Sequence, residues 1–123
     1  MFTISVQTSF WASHQLKLPG GQKEDIHSHN WLVEARVSSE QLNKTGVVFD
    51  FNKLKAILAG ITDSLAGSGL EDSPAFGQNN PSAELIAQYI YQTIEKKLPA
   101  EILLDSVTVT EEPGCCACFK KTK

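Results

Sequence analysis

The chain has 123 residues, 41% of them hydrophobic and 20% charged, which is enough to bury one core and too few for two. We therefore expect a single domain over residues 1–123. Eleven basic against fourteen acidic side chains give a formal net charge of −3, which argues against a protein that follows nucleic-acid phosphates. No apolar run approaches the roughly 20 residues of a membrane helix. The first residues, Met1–Val6, do not resemble a secretory signal, so we expect a cytoplasmic protein that contacts no membrane.

Alternating apolar and polar residues predict β-strands in the first third of the chain. The alternation covers Phe2–Phe10 and returns from His29 to Ser38. We expect the second strand to continue to about residues 44–46 and to place His29 on or near its more polar face. Between the two strands, residues 17–25 contain Pro-Gly-Gly and a charged run, which predicts a loop. The apolar face of the second strand is predicted to carry Trp31, Val33, Ala35 and Val37.

Two helices are predicted in the middle of the chain. Asp50 is a candidate N-cap, and apolar residues recur at helical spacing over residues 51–66 until Gly67-Ser68-Gly69 ends the helix. Residues 71–80 are polar and predict a loop. A second helix is expected to begin with Pro81 at its first position, where the missing N–H costs nothing.

Two further strands are expected after the helices. Val107–Thr110 alternates, Pro113-Gly114 predicts a turn, and a fourth strand is expected around residues 117–121. The order strand, strand, helix, helix, strand, strand predicts an α+β fold. Its four-stranded, mostly antiparallel sheet carries both helices on one face.

The three histidines of the chain, at positions 14, 27 and 29, form a candidate metal site. Residues i and i+2 of a strand share a face about 6.6 Å apart, so His27 and His29 can reach one ion. His14, at the end of the preceding strand, would be a third ligand and would leave one position open, as in catalytic zinc sites. The spacing alone equally allows three separate surface or hydrogen-bonded histidines.

Several motifs resemble those of the family of 6-pyruvoyl-tetrahydropterin and 6-carboxy-tetrahydropterin synthases. Residues 10–14 and 27–31 resemble the family pattern F-x-A-A-H … H-G-H-x-Y. Residues 46–51 are similar to G-M-V-x-D-F, residues 80–84 to N-P-T-x-E, and residues 107–111 to V-x-V-x-E. These ordered motifs span nearly the whole chain, so it is identified as a divergent member of this family.

The resemblance implies a fold, an assembly, a metal and a ligand. The tunnelling fold is a four-stranded antiparallel sheet with two helices, whose copies form trimeric barrels that pair into hexamers. By resemblance, Zn²⁺ is held by His14, His27 and His29, and Glu111 binds a small-molecule pterin through two acceptors facing two ring donors. Without the motif, Glu111 would be interpreted as a solvated acid beside Glu112.

The standard catalytic groups of the family are missing. Lys23 stands where those enzymes have a cysteine four residues before the first histidine of H-x-H, and Ala66 and Gly67 replace their Asp-His pair. Glu24, three residues before His27, matches a subgroup with glutamate there that cleaves dihydroneopterin triphosphate to 6-hydroxymethyl-dihydropterin. Glu24 is therefore the candidate acid/base, with Asp25 weaker, although it also fits a solvated loop.

Three functional hypotheses follow. The first is a zinc-dependent lyase acting on the side chain of a dihydroneopterin triphosphate-like substrate, in folate, queuosine or biopterin-like metabolism. The second is a paralogue that binds pterin and metal without turnover. The third, a thiol-rich metal handler, depends only on Cys115, Cys116 and Cys118, which we expect to be reduced and either buried or at a strand end near Glu111.

Overall fold

The fold comes from a computed structural model that describes residues 1–67 and 69–122. Within that part of the chain, no helix has both the length and the apolar character needed to cross a bilayer. The secondary-structure elements, in chain order, are strands β1 (Phe2–His14) and β2 (His27–Ser39), helix α1 (Phe51–Leu65), a 3₁₀ turn (Leu70–Asp72), helix α2 (Ala83–Glu95), and strands β3 (Leu103–Glu112) and β4 (Cys115–Phe119).

The four strands form one antiparallel sheet in the order β1-β2-β3-β4. Apolar residues at alternate positions of the strands are buried, and together with the inner faces of α1 and α2 they form one core. The predicted α+β fold, with both helices on one face of a four-stranded antiparallel sheet, is thus confirmed. The register of β1 and β2 pairs His14 with His27 and Ala12 with His29.

The predicted strand limits were partly wrong. β1 extends four residues beyond Phe10 and ends at His14, while β2 begins at His27 and ends at Ser39 rather than near residues 44–46. Beyond β2, where the strand was expected to continue, the Oδ1 of Asn43 accepts from the backbone N–H of Thr45 at 2.9 Å and closes a turn. β3 is longer than residues 107–110, and β4 lies two residues earlier than expected.

Both helices begin with a side-chain cap. Asp50 caps α1 as predicted, since its Oδ1 accepts from the Asn52 N–H at 2.7 Å. For α2 the prediction was wrong by two residues. Ser82 is the N-cap, its hydroxyl accepting from the Leu85 N–H at 3.2 Å, and Pro81 lies just before it. The carbonyl of Pro81 is therefore free to bind outside the helix.

The segment between the helices is more structured than a polar loop. Leu70 and Phe76 are buried in the core, and the 3₁₀ turn lies within the region predicted as irregular. Of the predicted helix stop, Ser68 lies outside the described residues. The three cysteines were expected to be buried or at a strand end near Glu111. They are exposed on β4, which begins at Cys115 opposite Glu112, so the second alternative fits and the first does not.

Candidate metal centre and its carboxylates

The three histidines meet at one end of the sheet, on the side that carries the helices. His14 is the last residue of β1, His27 the first of β2, and the two are direct cross-strand partners. His29 lies two residues further along β2 and shares the face of Trp31, so its assignment to the polar face was wrong. One ligand atom from each histidine lies within 4.8 Å of the others, which is close enough for all three to bind a single ion.

Two backbone carbonyls determine which ring nitrogens face the centre of this cluster. The Nδ1 of His14 lies 2.9 Å from the carbonyl oxygen of Pro81, and the Nδ1 of His27 lies 2.9 Å from that of Asp25. A carbonyl can only accept, so each Nδ1 must carry the hydrogen. In the neutral rings both Nε2 atoms then present lone pairs, and these two atoms are only 2.7 Å apart. A proton or a cation between them is needed to relieve this repulsion.

His29 adds a third nitrogen that lacks a partner. Its Nε2 is buried and has no hydrogen-bond partner among residues 1–67 and 69–122. Burial lowers the pKa of His29 below its usual value, while the nearby Glu111 carboxylate raises it and the other two histidines lower it. The lowered pKa favours the neutral imidazole, which is the form that binds a metal. The converging nitrogens therefore fit Zn²⁺, for which imidazole is a preferred ligand.

Trp31 holds two of the imidazole rings in place. Its ring is fully buried, with centroids 5.0 Å from His14 and 5.2 Å from His29, both in edge-to-face geometry. The indole N–H donates to the carbonyl of Ala12 at 3.1 Å, which fixes the tryptophan itself. The positions of the histidine rings are thus set by packing as well as by hydrogen bonds.

Glu111 approaches the cluster from β3. Its Oε1 lies 3.7 Å from the Nε2 of His14, and its Oε2 lies 3.8 Å from the Nε2 of His29. The side chain is 29% exposed, so it borders the cluster while remaining open to solvent on one side. This position leaves the Glu111 carboxylate able to accept hydrogen bonds from a ligand beside the cluster.

Glu24 approaches the cluster from the segment between β1 and β2. Its Oε1 lies 3.8 Å from the Nε2 of His27 and accepts from the backbone N–H of Leu16 at 3.1 Å. The side chain is again 29% exposed. Asp25 is exposed, and it contacts His27 through its backbone carbonyl. Two carboxylates therefore lie beside the three histidines, and their two negative charges would balance the charge of one Zn²⁺.

The segment that would carry the family's Asp-His pair lies beside the same end of β1. The N–H of Gly67 donates to the carbonyl of Trp11 at 2.8 Å, and its own carbonyl accepts from Ser13 at 3.1 Å. Gly67 has a φ of +114°, a conformation that L side chains rarely adopt. A histidine at this position would therefore strain the backbone.

Sequence reasoning did not find the groups that orient the histidines. The contacts of Pro81 and Asp25 use main-chain carbonyls, which every residue type has, so no side-chain pattern reveals them. The N-P motif at Asn80 and Pro81 was the only indication in the sequence that this segment makes specific contacts, which are those with His14 and Lys17. Its contacts with β1 become visible only when the two segments are brought together.

Comparisons with known proteins agree on one family. A family model described as 6-pyruvoyl tetrahydropterin synthase matches residues 3–122. A dihydroneopterin monophosphate aldolase of Pyrococcus furiosus is 32% identical over 108 residues, covering 88% of each chain. A 6-carboxy-5,6,7,8-tetrahydropterin synthase of Synechocystis is 32% identical over 103 residues, covering 78% of this chain and 77% of the relative.

A solved structure shows the same fold. The 6-pyruvoyl tetrahydropterin synthase of Caenorhabditis elegans superposes with a TM-score of 0.84 at 22% identity, covering 98% of this chain and 96% of the other. The similarity therefore extends over nearly all of both chains.

Proposed function

Since the chain belongs to the 6-pyruvoyl tetrahydropterin synthase family, we propose that it is a zinc-dependent lyase that cleaves the side chain of a dihydroneopterin phosphate. Members of this family process pterins, and the Pyrococcus furiosus relative is an aldolase by name. We assign zinc binding to His14, His27 and His29, acid/base catalysis to Glu24, and pterin binding to Glu111.

We base this proposal on one observation: three imidazole nitrogens converge, and each of two carboxylates lies within 3.8 Å of at least one of them. The Nε2 atoms of His14 and His27 are 2.7 Å apart, a separation that a bound cation would stabilise, and Glu24 lies 3.8 Å from the His27 nitrogen. A carboxylate at that distance can reach a hydroxyl group of a substrate placed beside the ion. Three histidine ligands leave a coordination position for such a group.

The bond changes of the proposed reaction are those of a retro-aldol cleavage. When bound, zinc acts as a Lewis acid toward a hydroxyl oxygen of the substrate. Glu24 accepts the proton from the hydroxyl on the second side-chain carbon, and that carbon becomes the carbonyl of the released aldehyde. The bond between the first and second carbons breaks, and its electron pair passes into the conjugated C=N of the dihydropterin ring. Glu24 then returns the proton to the first carbon, which gives 6-hydroxymethyl-dihydropterin.

The proposal is tested by product analysis. Zinc-loaded protein is incubated separately with dihydroneopterin monophosphate, dihydroneopterin triphosphate and sepiapterin, and the pterins are identified by chromatography and mass. We expect 6-hydroxymethyl-dihydropterin from at least one of the phosphates. Pterin binding without any product would contradict the lyase and favour a paralogue that has lost turnover, a reading consistent with the missing Cys and Asp-His groups.

Replacing Glu111 with alanine is expected to weaken pterin binding by about 1–3 kcal/mol, because two ring donors lose their acceptor at a partly buried site. Binding is measured by titrating each protein with a fluorescent pterin. Glu112→Ala, which removes the neighbouring exposed acid, is the control and should leave the affinity unchanged. Equal affinities for the parent and Glu111→Ala would refute the assigned role.

We expect a homo-oligomer, a trimer or a hexamer of two trimers. The sheet of one chain leaves β1 and β4 as edge strands, and closing a barrel pairs such edges between copies. Sedimentation velocity at micromolar concentration measures the assembly. A monomer at that concentration would contradict the barrel.

A further inference from the structure

The segment between β1 and β2 forms a small hairpin with Glu24 at its base. Lys17 and Lys23 are bridge partners, and the hydrogen bonds on either side run from Leu18 to Gln22 at 2.6 Å and from Glu24 to Leu16 at 3.0 Å. We call residues 16–24 the Glu24 hairpin. A two-stranded hairpin is at best marginally stable alone, so something else must hold it against the domain.

Asn80 supplies that contact. Its side-chain Oδ1 accepts from the N–H of Lys17 at 2.8 Å, and its Nδ2 donates to the carbonyl of Lys17 at 3.0 Å. The amide therefore satisfies both main-chain groups of one residue, as a neighbouring strand would. This pairing also fixes the orientation of the amide, because the N–H requires the oxygen and the carbonyl requires the nitrogen.

The same short segment contacts the metal ligands. Pro81, directly after Asn80, accepts from the Nδ1 of His14, and Ser82 caps α2. The short segment at the N-terminus of α2 thus contacts both the Glu24 hairpin and His14, one of the proposed zinc ligands. Gln15, the residue directly after β1, provides a second contact, since its Nε2 donates to the carbonyl of Glu24 at 2.9 Å.

We propose that Asn80 is a positioning residue that holds the Glu24 hairpin so that the Glu24 carboxylate stays beside His27. The inference rests on the proposed function, because it assigns the acid/base role to Glu24. The side chain of Asn80 does not reach the carboxylate. It acts through Lys17 and the hairpin, whose Leu16 N–H holds the Oε1 of Glu24 at 3.1 Å.

The structural half of the proposal is tested without metal or substrate. Amide hydrogen exchange is measured in metal-free parent, Asn80→Ala, Asn80→Asp and Asn79→Ala proteins. We expect faster exchange at Lys17, Leu18 and Glu24 in Asn80→Ala. The Asn80→Asp variant keeps an acceptor for Lys17 and should show a smaller effect. Asn79→Ala removes an exposed neighbouring amide and should match the parent. Unchanged exchange in Asn80→Ala would overturn the proposal.

The kinetic half uses the zinc-loaded enzyme. Asn80→Ala should lower kcat roughly 10- to 100-fold, because a misplaced catalytic group costs rate, with KM and zinc content unchanged. In a Glu24→Gln background the same change should have almost no further effect on kcat, as expected for a residue that acts through Glu24. A loss of zinc in Asn80→Ala, or an equal loss of kcat in both backgrounds, would overturn the positioning role.

Hydrogen exchange and kinetics together distinguish a failure of the Asn80 proposal from a failure of the proposed lyase function. A parent protein that gives no cleavage product refutes the lyase, and with it the role of Asn80 in catalysis. Hydrogen exchange still decides whether Asn80 holds the hairpin, since that measurement needs neither zinc nor pterin. Cleavage by the parent with unchanged kcat in Asn80→Ala would instead refute the role of Asn80 alone.

Discussion

Replacing His27 with alanine is expected to reduce bound zinc to well below one equivalent per chain. The change removes one of three converging nitrogens, and the remaining pair offers a much weaker site. Zinc is measured by elemental analysis after purification in the presence of the metal and exhaustive dialysis. The parent should retain about one equivalent, as expected for a three-histidine site.

Asn30→Ala is the matched control for this experiment. Asn30 is exposed on the same strand, one residue beyond His29, and pairs with Trp11 across the sheet. It should leave the zinc content unchanged. Full zinc retention by His27→Ala would show that the ion binds elsewhere, and the assignment of the metal centre would be wrong.

Glu24→Gln is expected to lower kcat about 10²- to 10⁴-fold, the usual contribution of a general acid or base. The amide has nearly the same shape as the carboxylate but does not accept the hydroxyl proton. Because proton transfer occurs in the transition state, pterin affinity should change little. Both quantities are measured on the same preparations, kcat from product formation and affinity from pterin titration.

Asp25→Asn separates Glu24 from the adjacent acid. Asp25 contacts His27 through its backbone carbonyl, which the substitution leaves in place. We therefore expect nearly the parental rate. A full rate in Glu24→Gln together with a large loss in Asp25→Asn would transfer the acid/base role to Asp25.

The sequence predicted the elements of the fold because their patterns are local. Alternation indicated the strands, and Asp50 was identified as a cap from its position before an apolar helical stripe. The face of His29 was missed because it was judged by polarity rather than by counting along the strand from Trp31. A polar side chain on a core face is unusual, and here it fits a polar cluster of three histidines.

The candidate site could be predicted only in part. The histidine spacing and the motif at Glu111 predicted side chains that the fold does bring together, because residues two apart on a strand share a face. The position of the Glu24 carboxylate could not be predicted, because its hydrogen bond from the Leu16 N–H depends on how the hairpin closes. The hydrogen bonds between the Asn80 side chain and the Lys17 backbone join residues 63 positions apart, and no local sequence pattern predicts such a contact.

The most direct test of zinc-dependent cleavage at this centre is a zinc titration of turnover. Metal-free protein receives increasing zinc, and the initial rate of 6-hydroxymethyl-dihydropterin formation is measured at each addition. The account predicts negligible rate without zinc, a linear rise, and a plateau at about one zinc per chain, the stoichiometry of a single three-histidine site. A full rate in the metal-free protein, or no rate once one equivalent is bound, would contradict it.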